Sequence, residues 1–170
     1  MACATRSTQT NDEGTYELSI DQLDLFLMSI ELDHPSSDEF SEMLLANRKD
    51  EFNRSLKISA EEVVCLQSFV KSIPAEKGIA EQIARIALMT REDELSRRYV
   101  ITGLSVRGAV MLLRAAQAFA VINGRLTPTG NDLERLLVPV LRHRIVLSFA
   151  GRAEGITVTR ILDEMARHVF

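Results

Sequence analysis

Two cations stand in an otherwise apolar stretch of the sequence, SVRGAVMLLRAAQAFAVIN, which runs from Ser105 to Asn123. Its alanines, leucines and methionine favour a helix, the serine can cap the first turn, and Asn123 followed by Gly124 favours a helix end. Arg107 and Arg114 are about two turns apart and therefore project from one face. A guanidinium in the first turn of a rigid helix keeps its charge and is suited to stabilising a phosphoryl oxygen. From the residues alone, a surface or helix-cap arginine is the simpler interpretation of Arg107.

The histidines, cysteines and serines of the sequence show no pattern of a catalytic or metal site. The histidines at 34, 143 and 168 lack the spacing of metal ligands, and His143 is interpreted as an interface or core residue. The cysteines at 3 and 65 have no catalytic partner nearby, and no serine stands in a nucleophile elbow. The basic run at 142–144 lacks interleaved aromatic residues. Recognition of nucleic acid is therefore not expected.

Composition indicates one ordinary domain, or one domain with part of another, because 46% of the 170 residues are hydrophobic. The net charge of -4 gives no overall attraction to nucleic acid or to an anionic membrane. The longest apolar run is interrupted by Arg114 and is too short to span a membrane. No targeting segment is visible, so a cytoplasmic location is expected. The last quarter is mildly basic, which we interpret as a solvated surface rather than a partner- or phosphate-facing side; its arginines include Arg135, Arg142, Arg144, Arg152 and Arg160.

The first quarter of the chain has the pattern of an incomplete α/β unit. Ser19 is predicted to cap a short helix through Leu27, and the alternation over residues 28–32 predicts a strand. A serine at 36 or 37, with Glu39, predicts a capped helix through Ala46. One or two strands cannot bury both faces, so this segment is expected to belong to a larger sheet and to leave an apolar flank over residues 1–35.

From residue 58 onward the pattern is helical. Predicted helices span residues 59–72 and 79–90, and a charged loop at 91–98 leads to a strand-like stretch at 99–101. After the central helix, Thr127 and Pro128 are predicted to begin a helix that Pro139 interrupts or ends. Residues 140–147 fit a helix followed by extended chain, and Thr157 is predicted to cap a last helix over 158–169. The residues expected to face inward on the last two helices are Leu133, Leu136, Leu137, Ile161, Leu162 and Met165.

Several segments resemble the carboxy-terminal part of MoxR-type AAA+ ATPases, which comprises the end of the nucleotide-binding core and a small helical lid. Residues 13–16 and 22–32 are similar to the family's segment after the sensor 1 strand, and residues 105–108 with 112–116 resemble its sensor 2 motif and helix. Further similar segments are residues 126–128, 131–133, 139–145 and 154–157. The resemblance covers almost the whole chain. It implies a mainly α fold, a helical bundle of the lid type preceded by a short remnant of an α/β core.

The resemblance also implies roles for single residues. In such ATPases the sensor 2 arginine reaches from the lid to the nucleotide phosphates, which assigns that role to Arg107. Ser7 is similar to the polar end of sensor 1, although Arg6 and Ser7 replace the usual Gln-Asn pair. Leu25 stands where the family has an arginine finger for the neighbouring subunit's nucleotide, and leucine cannot do that chemistry. Gly108 replaces an alanine, which should loosen the helix start by about 1 kcal/mol.

The sequence contains no Gly-x-x-x-x-Gly-Lys-Ser/Thr loop that could cradle phosphates. Leu-Asp-Glu at 162–164 resembles the end of a Walker B strand only superficially, because a helix is predicted there. We therefore expect Met1 to begin after both Walker motifs. This chain alone is expected to contain no catalytic residue and no metal ligand, and neither to bind ATP tightly nor to hydrolyse it.

The expected organisation is a core remnant over residues 1–35, a helix and linker over 36–57, and a helical lid over 58–170. The resemblance implies that the complete form uses ATP and magnesium to remodel or activate an unknown partner protein. It also implies contacts with the AAA+ core and with neighbouring subunits in a ring, expected to be a hexamer, with the lid rotating about residues 47–57. The alternative is a non-enzymatic helical interaction module derived from such an ATPase, which Leu25, Arg6 and Ser7 favour.

Overall fold

The computed structural model describes residues 18–45 and 58–170, which form helices and one small sheet. The mainly α fold expected from the sequence is confirmed. The chain divides into two compact units: residues 1–29 with 70–170, and residues 30–69.

In the smaller unit, two capping boxes start helices where the sequence predicts them. Helix α2 (Ser37–Leu45) follows Ser36, whose backbone N donates to Glu39 Oε2 at 2.7 Å. Helix α3 (Ala60–Ser72) follows Ser59, whose N donates to Glu62 Oε2 at 2.7 Å, and its last residues belong to the larger unit. In both boxes the serine Oγ accepts from the glutamate N–H in return, so free amides of the first turn are satisfied.

The larger unit begins with a helix shorter than predicted. Ser19 caps α1 (Ile20–Leu23) through a capping box with Gln22, and turn hydrogen bonds carry the chain to Phe26. The strand predicted over residues 28–32 is wrong, because these residues form no ladder with another described segment. Ser29 N instead donates a single hydrogen bond to Pro139 O at 2.7 Å. Apolar alternation alone does not make a strand when no neighbouring strand supplies the hydrogen bonds.

Four helices of the larger unit enclose its core: α4 (Lys77–Glu92), α6 (Val106–Ile122), α7 (Gly130–Leu141) and α9 (Val158–Val169). Helix α6 contacts both α4 and α7, and α9 packs against α4 and α7. The residues predicted to face inward on α7 and α9 are confirmed as buried. Burial of these apolar side chains is the main source of stability for such a bundle.

The segment between α4 and α6 is more regular than predicted. Asp93 follows α4, and its Oδ2 accepts from Leu95 N at 3.3 Å to cap α5 (Glu94–Tyr99), so the loop predicted at 91–98 is wrong. Strand β1 (Val100–Thr102), close to the predicted strand, pairs antiparallel with β2 (Val146–Leu147). A helix that the sequence did not predict, α8 (Phe149–Ala153), packs against α5.

Helix α7 differs from its prediction at both ends. Its N-cap is Thr129 rather than Thr127, and Asp132 accepts from the Thr129 backbone N at 2.8 Å. The helix also continues through Pro139 to Leu141. The proline has no N–H to bond the carbonyl four residues earlier, and the helix ends two residues after it. The predicted change from helix to extended chain over 140–147 is confirmed.

Candidate functional site

The first turn of α6 holds Arg107 at an exposed position. Ser105 is the N-cap, and its Oγ accepts from Gly108 N at 3.0 Å, which fixes the start of the helix. Arg107, the second residue of the helix, is exposed and has no hydrogen-bond or ion-pair partner within residues 18–45 and 58–170. Its cation is therefore carried by a regular helix and is free to meet an anion.

Behind this turn lies a polar group of three residues from distant parts of the chain, which we call the Asp24 cluster: Asp24, Ser105 and Arg144. Ser105 Oγ donates to Asp24 Oδ2 at 3.0 Å, and Arg144 Nε donates to Asp24 Oδ1 at 2.9 Å. One carboxylate therefore joins the segment after α1, the N-cap of α6 and the segment after α7.

Arg144 is buried, with 2% of its surface exposed. Its guanidinium also donates to Leu27 O at 3.2 Å and to the carbonyl oxygens of Phe26 and Val140. Burial lowers the pKa of Arg144, and the Asp24 carboxylate opposes that change. The prediction that the arginines of the last quarter form a solvated surface is therefore wrong for Arg144, because this cation neutralises an internal carboxylate.

His143 lies beside this cluster and is half-buried, consistent with the predicted core role. Its Nε2 is 3.2 Å from Phe26 O and 2.7 Å from Arg144 Nη1. Burial is the main cause that lowers the pKa of His143, and the Arg144 cation lowers it further. Both causes favour the neutral imidazole over the charged one.

Gly108 permits the close packing at this helix start. A Cβ at this position would lie 2.4 Å from Leu104 Cδ1 and 2.8 Å from Arg144 Cδ, closer than atoms can approach without displacement. The sequence predicted only that glycine would loosen the helix here. In the structure, the missing side chain is what allows the buried Arg144 to lie against α6.

Further along α6, polar side chains bind the carbonyl groups at the end of α3. Arg114 Nη1 donates to Lys71 O at 3.2 Å and to Gln117 Oε1 at 3.0 Å. Gln117, which is buried, donates from Nε2 to Ile73 O at 2.6 Å. These bonds satisfy carbonyls that a helix end leaves without intrahelical partners. Arg114 therefore has a structural role.

A second arginine–aspartate pair lies at the other end of α6. Arg125 donates to both oxygens of Asp132, at 2.6 and 2.7 Å, and these hydrogen bonds are the main cause that lowers the pKa of Asp132 to about 2. An open hollow of about 340 Å³ adjoins the pair and is lined by Phe119, Asn123, Arg125, Thr129, Asn131, Asp132 and Arg135. Since each charge of the pair already has its partner, the pair itself offers little to a ligand.

Comparison with known proteins identifies the larger unit. The family model of the AAA lid domain matches residues 92–165. The protein YeaC of Bacillus subtilis is 33% identical over 155 residues, covering 90% of this chain and 47% of the relative. The chaperone MoxR1 of Mycobacterium tuberculosis is 26% identical over 163 residues, covering 91% of this chain and 43% of the relative. The chain contains the lid domain of a MoxR-type AAA+ ATPase.

A solved structure agrees with the MoxR-type assignment. A crystal structure of a Cytophaga hutchinsonii protein assigned as an ATPase matches with a TM-score of 0.84 and 27% identity. That match covers 95% of this chain and 51% of the other chain. The chain thus spans about half the length of the MoxR-type relatives that it matches.

Of the site residues predicted from the sequence, the structure describes Leu25 and Arg107 but not Ser7 and Arg6. Leu25, which the sequence resemblance places at the position of an arginine finger, follows Asp24 directly and is 63% exposed. Arg107 lies at the start of α6, which Ser105 joins to Asp24. Ser7 and Arg6 lie outside the described residues, as does the whole predicted linker at 47–57. The structure therefore brings the segment of Leu25 and the turn of Arg107 to one cluster.

Sequence reasoning missed the link between Asp24 and Arg144. Both residues lie in segments that resemble the family, but they are 120 positions apart and no local pattern pairs them. The weak signal available was the Asp24 carboxylate within an otherwise apolar run. Among the described helices, none combines the length and the apolar character needed to cross a membrane.

Proposed function

We propose that Arg107 contacts the phosphates of ATP in a complete MoxR-type AAA+ ATPase, to which this chain contributes the lid. The observation that carries the proposal is the position of Arg107: exposed, without a partner in the described chain, and in the first turn of a helix fixed by Ser105 and Asp24. A guanidinium held this way stabilises phosphate charge with little reorganisation.

The residues present fit one half of a nucleotide site. Arg107 provides a permanent cation, and its place at a helix N-terminus adds the partial positive charge of the free amides. When bound, ATP with magnesium would supply the phosphoryl group whose transfer to water drives the complete enzyme. We assign no residue of this chain to magnesium, and we expect this chain alone not to bind ATP tightly.

The mechanism of the complete form follows from this division of the site. Arg107 binds or releases the phosphates as the lid rotates on the core, and residues 47–57 are the hinge between a core remnant (1–35) and the lid (58–170). Similarity to a relative called a chaperone supports remodelling of a partner protein as the output of this motion. A ring of subunits in the cytoplasm, of hexameric form, belongs to the same proposal.

Leu25 supports the alternative function, a helical interaction module without ATPase activity. Its side chain is exposed at the position of the arginine finger, where it offers apolar surface instead of a cation. A ring built from this chain would lack that cation at each neighbouring nucleotide. Turnover measured in the complete form decides between the two functions.

The test is titration calorimetry of ATP with the complete ATPase, in which an upstream nucleotide-binding core precedes this sequence. R107A is expected to weaken ATP binding about tenfold or more, through loss of a charge-assisted contact. R85A is the matched control, since Arg85 is an exposed arginine of α4. Equal affinities for wild type and R107A would remove Arg107 from the site, and absence of ATP binding by the wild type would favour the interaction module.

A further inference from the structure

We propose that Asp24 is a positioning residue for Arg107, because it holds the segment 24–27 against the first turn of α6. We call the bonds of Asp24 to Ser105 and to Arg144 the clasp. The inference rests on the proposed contact between Arg107 and phosphate. Its evidence is the use of both carboxylate oxygens, one by Ser105 and the other by Arg144. A carboxylate that only neutralised Arg144 would not need the bond to the helix cap.

The path from Asp24 to Arg107 is short and rigid. Ser105 Oγ donates a hydrogen bond to Asp24 Oδ2 and accepts one from Gly108 N. The backbone oxygen of Ser105 accepts from Ala109 N at 3.0 Å. Arg107 lies between these anchored residues. A rotation of the first turn that moved Arg107 would therefore break the bond to Asp24. The carboxylate thus fixes the backbone position from which the Arg107 side chain extends.

Arg144 holds the other side of the clasp. It donates to the carbonyls of Phe26 and Leu27 as well as to Asp24, and it is buried. Breaking one such contact leaves a cation in a poorly solvated place, so partial opening of the arrangement costs free energy. The segment that carries Leu25 and the turn that carries Arg107 are thus held to each other in this structure.

Electron paramagnetic resonance on this chain tests the clasp without nucleotide. Spin labels replace Leu25 and Val106, which are 63% and 81% exposed, after Cys3 and Cys65 are changed to serine. We expect a narrow distance distribution that broadens at least twofold in D24N but not in D21N, whose aspartate is exposed in the first turn of α1. An unchanged distribution in D24N would overturn the proposal.

A second label pair separates positioning from general unfolding. Labels at the exposed Arg85 of α4 and Asp163 of α9 should keep their distribution in D24N. Broadening of both pairs would mean that Asp24 only stabilises the fold. The double variant D24N/R144M removes the buried cation together with its partner, and the 25–106 distance is expected to stay broad even where stability recovers.

Turnover in the complete ATPase then tests the link to Arg107 by a double-mutant cycle. D24N is expected to lower ATP turnover about tenfold, and to have no further effect in an R107A background. Equal losses in both backgrounds would show that Asp24 does not act through Arg107. If R107A itself leaves turnover unchanged, the proposed nucleotide contact is wrong, while the label distances still report whether the clasp exists.

Discussion

Two arginine–aspartate pairs lie at the two ends of α6, and they do different work. Arg125 and Asp132 are 7 residues apart, and Asp132 also completes the capping box of α7. Arg144 and Asp24 are 120 residues apart, and their pair joins three segments. In the local pair the arginine side chain is 37% exposed, whereas that of Arg144 is 1% exposed.

The difference shows how one type of interaction serves two purposes. The local pair stabilises a turn, and solvent screens part of its charge on the arginine side, while Asp132 is buried. A distant, buried pair contributes little net stability as a pair, but removing one partner leaves the other charge buried and unpaired, which is strongly destabilising. The distant pair is therefore suited to fixing how segments are arranged, and the local pair to starting a helix.

The largest expected effect is that of D24N. Because the change leaves the Arg144 cation buried without its carboxylate, the free energy of unfolding should fall by about 3 kcal/mol at neutral pH. Urea denaturation of wild type, D24N and the control D21N measures it. A loss no larger than that of D21N would mean that the buried pair is not maintained in solution.

The next effect belongs to G108A, which tests the packing of Arg144 on α6. The added Cβ would displace Leu104 or Arg144, and we expect a loss of about 2 kcal/mol despite the higher helix propensity of alanine. G78A in the first turn of α4, where a Cβ would meet no atom within 4 Å, is the control. Equal or greater stability of G108A would show that the cluster has room to adjust.

The local pair predicts a smaller effect with a defined pH dependence. D132N should cost about 1–2 kcal/mol at pH 7, because the pKa of Asp132 is lowered to about 2 from its ordinary 3.8. A carboxyl whose pKa is lowered on folding stabilises the fold above its unfolded pKa, so the difference should vanish as the pH falls from about 4 to about 2. E134Q, at an exposed position of α7, serves as control. A constant difference across this range would contradict the assignment.

The smallest effect concerns His143. Its pKa is lowered in the folded state, so the unfolded chain binds a proton more readily. The contribution of His143 to stability should therefore be fully present above pH 6.5 and be lost as the pH drops toward the folded pKa. Thermal unfolding between pH 7.5 and 5.5 should show a smaller pH dependence in H143Q than in wild type. H34Q, at an exposed histidine, is the control. If the pH dependence of the unfolding temperature changes in H34Q and not in H143Q, His143 is not its cause.

The same contrast explains what the sequence could predict. Helix starts depend on residues three apart, so the caps at Ser19, Ser59, Ser105 and Thr157 were all predicted correctly. The start of α7 was missed because Thr127-Pro128 offers the same local signal two residues before the true cap. The central helix and the inward residues follow from periodicity.

The clasp could not be predicted, because its cause is tertiary. Arg144 stands beside another arginine and a histidine, a pattern that ordinarily indicates a solvated face. Only packing against the segment after α1 shows that its guanidinium turns inward to Asp24. Likewise, the alternation over 28–32 could not reveal that no described strand pairs with it.

The rate of ATP hydrolysis by the complete ATPase, compared between wild type and R107A, tests the central claim most directly. If the clasped turn of α6 presents Arg107 to phosphate, R107A should lower the rate at least about tenfold, while the urea unfolding of the lid stays within about 0.5 kcal/mol of wild type. An R107A enzyme that turns over ATP at the wild-type rate would contradict the account.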